Sequence, residues 1–343
     1  MPDHAKPELR FAAIGLNHSH IYGQTRAMLN AGAELVAVHA LEDDLTAAYM
    51  KAFPQAARMA DKRRVLDDPS IQLIVSSITP DLRAALAIEV MRAGKDVMVD
   101  KPGVITLAEL AEVRRVQAET GRIFSVCYSE RFENRATAKA SELVAAGAIG
   151  RVVHTAGFGP HALSNNPRPD WFFQRKRYGG VLTDIAAHQC DQFLHFTGST
   201  KAEVTASHIA NHANPKTPEL EDFGEVLLRG DGGSGYIRVD WYTPKGLPVW
   251  GDGRLTILGT DGYIEVRKYI DIAGRPGGDH LFLADQKSVQ HMDCSTTPLP
   301  YGPALMADIL NRTEAAMTQA HCFLATELAL TAEAMAVKLG GLA

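Results

Sequence analysis

Between Phe11 and Val126 the chain repeats one pattern: a short apolar run without polar alternation, a turn, then a segment with helical spacing. Uninterrupted apolar strands must be covered on both faces, and a parallel sheet flanked by helices provides that cover. The runs are Phe11–Leu16, Leu35–Val38, Leu73–Ile78, Asp96–Val99 and Ile123–Val126. Helices are expected at about 20–30, at Leu45–Phe53 before Pro54, and at Asp81–Ala93 with Gly94 as its cap. A further helix should run from a Thr106/Glu109 capping box to Glu119. The alternation predicts a doubly wound α/β domain.

Further along, the pattern changes. Arg151–Gly157, Glu225–Arg229, Tyr236–Tyr242, Arg254–Leu258 and Tyr263–Arg267 read as strands, several of them joined by glycine-rich turns, which predicts an antiparallel sheet. Pro160–Pro169 has loop chemistry, a helix should follow Gly179–Gly180 to about Phe196, and Ala304–Lys338 should be mostly helical. The 343 residues suffice for two domains, expected at 9–128 and 129–343.

Composition narrows the function classes. The formal net charge is −5, without the basic excess of a nucleic-acid binder. Lys62–Arg64 and Arg175–Arg177 are short basic spots that read as solvated surface. The polar opening residues do not resemble a signal peptide, and no apolar run is long enough for a membrane helix. Four cysteines (127, 190, 294 and 322) lack Cys-x-x-Cys spacing, so neither a disulfide framework nor structural zinc is expected, and a reducing cytoplasm fits. Cys190 reads as core.

Three motifs carry candidate chemistry. Where the first strand meets the first helix, dinucleotide-binding domains place Gly-x-Gly-x-x-Gly, whose backbone and helix N-terminus receive the pyrophosphate. Here the segment is Gly15-Leu16-Asn17-His18-Ser19-His20, with Asn17 and His20 in the second and third glycine slots. Either this loop still holds a dinucleotide or the domain has lost it. His18 and His20 form an incomplete metal pair, with no carboxylate nearby in sequence, so no metal is expected. Ala40 occupies the usual place of the ribose-reading acid; Glu42 follows closely and either reaches the ribose or, with Asp43 and Asp44, opens the next helix. These acids would repel a 2′-phosphate, which favours NAD over NADP. The second motif, Asp100-Lys101-Pro102, ends a strand where α/β sheets bind ligands. In the third, Asp184 and His188 are four apart and would share one helical face, either as an oriented base or as a core pair.

Together these motifs resemble the Gfo/Idh/MocA family, the glucose–fructose and inositol dehydrogenase-like oxidoreductases. The resemblance rests on Thr79-Pro80, Ala93–Val97, Asp100-Lys101-Pro102, the Tyr128–Phe132 segment with Tyr128 and Arg131, Gly180 with Asp184, His188 and Asp191, and Leu258–Gly262. It implies an N-terminal Rossmann domain and a C-terminal α+β domain with a large open antiparallel sheet. It implies that Lys101, Asp184 and His188 are catalytic, that Gly15, Asn17, His18, His20, Glu42, Thr79, Pro80, Asp100, Lys101 and Pro102 meet NAD or NADP, and that the substrate is a sugar, inositol or related polyol. Tyr128, Arg131, His161 and Trp171, with Asn165 and Arg175, are candidate substrate contacts beside Asp184 and His188. The family's open sheet implies a homodimer or homotetramer. A non-catalytic sensor on this fold, or an enzyme that retains NAD for redox-neutral glycoside chemistry, are the alternatives.

Overall fold

The computed structural model describes residues 9–163 and 168–340. Asn165 lies outside the described residues. The chain forms two compact units. One takes in the described residues up to Val104, with Ala108–Cys127 and Pro300–Cys322; the other takes in Ile105–Leu107, Tyr128–Leu299 and the described residues from Phe323.

The first unit begins β1 (Arg10–Ile14), α1 (Ile21–Asn30), β2 (Glu34–His39), α2 (Asp43–Ala52), β3 (Ala57–Arg58) and α3 (Arg63–Leu66). It continues β4 (Leu73–Ser76), α4 (Pro80–Arg92), β5 (Asp96–Asp100), α5 (Leu107–Thr120) and β6 (Phe124–Cys127). Among the described residues these strands form one six-stranded sheet, β3-β2-β1-β4-β5-β6, and every pairing is parallel. The buried runs of β4 and β5 confirm the doubly wound reading. Strand order reverses between β1 and β4, so the loops after these two strands open at the switch point where such sheets bind ligands. The short β3 and α3 lack an apolar run and were invisible in the sequence; Lys62 beside α3 pairs with Glu89 at 2.5 Å.

The second unit contains α6 (Ser129–Phe132), α7 (Arg135–Ala145), β7 (Val152–Pro160), a 3₁₀ turn at Asp170–Phe173, α8 (Arg175–Tyr178), α9 (Val181–Asp184) and α10 (Ala186–Thr197). Then come β8 (Ala202–Ala210), β9 (Phe223–Gly230), β10 (Ser234–Asp240), β11 (Arg254–Gly259), β12 (Gly262–Arg267), β13 (His280–Asp285) and β14 (Val289–Asp293). The chain ends its described part with α11 (Tyr301–Asn311), α12 (Gln319–Met335) and β15 (Val337–Lys338). The second sheet has the order β14-β13-β12-β11-β7-β10-β9-β8-β15. It is mostly antiparallel, but β7 and β10 pair in parallel, so the sheet is mixed. Beneath its outer strands Ile257, Ile264, Val266 and Leu281 pack on Ala136 and Ala140 of α7.

Two helical expectations are refined by the structure. The stretch expected to be mostly helical from Ala304 to Lys338 is so, as two helices separated at Arg312, which adopts φ 57°. Asp308 accepts from the amides of Ala315 (2.7 Å) and Ala316 (2.8 Å), holding the intervening loop in place of helical bonds. The helix expected from Gly180 to Phe196 is also jointed: Asp184 closes α9, and α10 begins after Ile185. At the joint the His188 amide bonds the Ile185 carbonyl at 3.1 Å, an i→i+3 contact beside a fully buried β-branched residue. Asp184 and His188 therefore stand on either side of this joint.

Candidate cofactor and substrate sites

In the first unit the loop after β1 is built around Gly15. Its φ is +79°, and a Cβ there would stand 2.5 Å from Ile78 Cβ, so no other residue fits. Gly15 N–H donates to the His39 carbonyl at 2.9 Å, and the Ser77 amide donates to the Gly15 carbonyl at 3.1 Å. The turn is thus tied to β2 and to the end of β4. Asn17 donates through Nδ2 to Glu42 Oε1 at 2.7 Å. Glu42 is the N-cap of α2, with Asp43 and Asp44 in the first turn, so the acids do open the helix; Glu42 is also the one tied back to the loop.

Asp100 organises the opposite side of this loop. It ends β5 and is 1% exposed. Its Oδ1 accepts from the His20 ring at 2.8 Å and from the Lys101 amide at 2.8 Å, and its Oδ2 faces Arg83 at 3.2 Å. Burial alone would raise the Asp100 pKa, but the charges of His20 and Arg83 outweigh it and hold the carboxyl far below the usual range. Because Asp100 is ionised, His20 Nδ1 must carry the proton it donates. His18 behaves differently. Burial, then His20, press its pKa well below the ordinary value despite Asp100, and its Nδ1 accepts the His20 amide at 3.3 Å. A neutral His18 beside His20 follows.

No carboxylate neighbours the histidine pair in sequence, because Asp100 is eighty residues away from His20 in the chain. Ligand atoms of His18, His20 and Asp100 lie within 4.8 Å of one another. Asp100, however, already serves the Arg83 cation and the His20 donor, which works against a second positive charge. Arg83 itself went unrecognised. It is 1% exposed on α4 and donates to the carbonyls of Ile78 (2.8 Å) and Pro102 (2.8 Å). A cation in the first turn of a helix, where the dipole disfavours it, was the available signal. Thr79 caps α4, and its Oγ1 is buried with no hydrogen-bond partner; Gln24 Nε2 is another such atom. Orphaned polar atoms at the switch point, with the Gly15 turn and Glu42, suit a polar dinucleotide there.

In the second unit His188 is 1% exposed on α10, its ring 6.4 Å from that of Tyr128 in an edge-on contact. The Tyr128 hydroxyl pairs with Thr326 at 3.0 Å. Arg131 forks onto Asp191 with 2.7 and 2.6 Å bonds, so this candidate substrate contact holds α10 in place. Beneath lies a network the sequence did not reveal. Lys268 donates to Glu130 and, at 2.9 Å, to Gln192; Gln189 donates to Glu130 at 3.0 Å; Gln192 donates to the His188 carbonyl at 3.0 Å. Burial would raise Glu130, but Lys268, then His188 and His161, bring it down to about 2.

His161 stands among aromatic rings, 4.6 Å from Trp250 and 5.2 Å from Trp241. Trp171, on the 3₁₀ turn, meets Phe172 at 6.1 Å. The wall beside His161 is thus Trp241 and Trp250, which arrive from the end of β10 and the loop after it. Cys190 is fully buried, its thiol pKa pushed up by burial, as a core residue.

Arg175, more than a third exposed, is tied to two acids. It donates to Glu221 at 2.9 Å and to Glu333 at 2.8 Å. The same two acids accept the amides that open α9: Val181 on Glu221 (2.8 Å) and Leu182 on Glu333 (2.9 Å). Gly180 has φ +106°, and a Cβ there would stand 2.2 Å from the Glu333 carboxyl carbon. Burial, then the Glu221 charge, push the Glu333 pKa up to about 8, with Arg175 opposing. An acid whose pKa rises on folding keeps a proton that the unfolded chain has lost, so stability should fall as pH rises from about 5 to 8. Glu333→Gln, neutral throughout, is expected to flatten that part of the melting-temperature profile. Parallel profiles for the two proteins would place the titration elsewhere.

Residues 9–128 match the family model of the oxidoreductase family with NAD-binding Rossmann fold, and residues 137–265 match the GFO/IDH/MocA C-terminal domain. The chain belongs to the Gfo/Idh/MocA family. It is similar to a protein of Erwinia carotovora atroseptica SCRI1043 described as a candidate oxidoreductase: 46% identity, TM-score 0.94, covering 97% of this chain and 100% of that one. It is 25% identical to scyllo-inositol 2-dehydrogenase (NAD(+)) of Bacillus subtilis (strain 168) over 67% of this chain and 66% of that enzyme. A D-xylose dehydrogenase of Paenarthrobacter nicotinovorans is 27% identical over 53% of this chain and 50% of its own length. The chain therefore spans between half and two thirds of these enzymes' length. For this Gfo/Idh/MocA protein, fold and family are shared along both units.

Proposed function

We propose that this protein is a dehydrogenase that moves a hydride between a hydroxyl-bearing carbon of a sugar, inositol or related polyol and a nicotinamide dinucleotide, NAD in preference to NADP. The observation that carries the reading is the loop at the switch point. Two of its three glycines are gone, yet Gly15 keeps its left-handed turn and Asn17 presents Glu42 beside it. Glu42 suits a ribose with both hydroxyls and repels a 2′-phosphate. The names of the inositol and xylose dehydrogenases support the substrate class.

The bound dinucleotide supplies the hydride acceptor. His188 takes the proton from the substrate hydroxyl as the carbon is oxidised, and returns it in the reverse direction. Lys101 bonds the reacting oxygen and stabilises charge as it develops. Asp184 orients the substrate or the base. Asp100 holds the backbone of Lys101, while Arg131 and the Glu130–Lys268 network hold α10. Leu227, Leu258 and Tyr263, each more than 40% exposed on the open sheet, support self-association of this face.

Titration with NADH and NADPH, followed by nicotinamide fluorescence, tests the reading. NADH is expected to bind with micromolar affinity, and NADPH more weakly by about tenfold or more. Failure of both to bind cofactor-free protein would replace the dehydrogenase with a ligand-sensing protein on the same fold.

A further inference from the structure

Among the described residues the buried Arg83, the largely buried Arg131 and the partly exposed Arg175 all have carboxylates. Arg83 has Asp100, Arg131 has Asp191, and Arg175 has Glu221 and Glu333. Arg168 differs. Among the described residues it forms no ion pair. Its guanidinium carbon sits 4.8 Å from the centroid of Phe172 and 5.0 Å from that of Trp241, held between two aromatic rings. One nitrogen makes a long bond, 3.3 Å, to the Ala162 carbonyl. Among the described residues its Nε, which is buried, has no hydrogen-bond acceptor. A desolvated cation without a counter-ion is costly, and a protein that keeps one generally receives the anion from outside.

The position says which anion. Trp241, one of the two rings flanking Arg168, also packs on His161. The negative charge of Asp184 reaches Arg168 and partly offsets its burial, which otherwise lowers its pKa. Arg168 therefore belongs to the surroundings of Asp184, proposed above to orient the substrate or the base. Its neighbours leave the guanidinium edge with an unused donor, and a guanidinium edge matches a planar carboxylate with two parallel bonds.

We infer that the substrate is a polyhydroxylated carboxylic acid, and that Arg168 binds its carboxylate while a hydroxyl of the same molecule is oxidised. This rests on the dehydrogenase reading above. It separates this protein from relatives named for neutral polyols and predicts poor activity on inositols.

The test compares matched pairs on NAD-saturated protein: D-gluconate with D-glucitol, D-glucuronate with D-glucose, and glucose 6-phosphate as a second kind of anion. At least one carboxylate is expected to bind, and to be turned over, about tenfold or more better than its neutral partner. Arg168→Met should erase that preference without changing NADH affinity, and Arg168→Lys should restore part of it. Four outcomes overturn the inference: neutral partners preferred throughout, no member of the panel bound, glucose 6-phosphate preferred over every carboxylate, or equal losses for acid and neutral compound in Arg168→Met. Weakening of NADPH alone in that variant would also overturn it, by assigning Arg168 to a dinucleotide phosphate. Carboxylate binding that depends on Arg168, without any reduction of NAD, would sink the dehydrogenase reading and leave the anion site standing.

Discussion

Replacing His188 by alanine is expected to lower turnover by about 10²–10⁴-fold, the range for loss of a general base, while the NADH titration stays as in the wild type. The groups proposed to hold the dinucleotide, Gly15, Asn17, Glu42 and Asp100, all belong to the first unit, and His188 belongs to the second. The imidazole is 1% exposed, so truncation also opens a small cavity against Tyr128. Its backbone carbonyl, which anchors Gln192, is untouched by the change. A melting curve separates the two effects: a modest fall in melting temperature with nearly all activity gone is the expected pair. Wild-type turnover in His188→Ala would remove His188 from the chemistry.

Asp100→Ala is expected to cost about 3–5 kcal/mol of stability, the usual result of removing one partner from a buried ion pair. Arg83 would keep its carbonyl acceptors but lose its carboxylate, and His20 would lose the acceptor that fixes its ring. Asp100→Asn keeps the shape and one acceptor oxygen, so a smaller loss is expected. Urea unfolding measures both. The same variants should weaken NADH, because His20 stands at the N-cap of α1 beside the Gly15 loop. Unchanged stability in Asp100→Ala would mean that Arg83 and His20 are held by the rest of the loop. The sign with pH is equally definite. The folded pKa of Asp100 lies below its unfolded value, so its contribution is present at neutral pH and is lost progressively as pH falls below the ordinary carboxylate value.

The parts of the site that could be read in advance are those that short sequence spacing controls. Gly15 was legible because a strand-to-helix turn needs positive φ, and Asp100-Lys101-Pro102 because it ends a buried strand. The parts that escaped are pairings across the chain. Lys268 meets Glu130 from 138 residues away, and Arg312 meets Asp96 from 216. Neither side chain carries a local mark of its partner. Trp241 and Trp250 escaped similarly, since nothing near them in sequence points to His161.

The sequence by itself determined the order of apolar runs and turns, and with it the parallel sheet, because burial on both faces leaves a continuous apolar signature. It also determined where the ligand-bearing strand ends lie. Only the tertiary structure decided how the buried acids ionise. Asp100 lies far below, and Glu333 well above, the ordinary carboxylate range. The difference is not in the residue type. Asp100 is surrounded by cations and donors, whereas Glu333 is buried against a second acid, and those neighbours arrive through long-range packing alone.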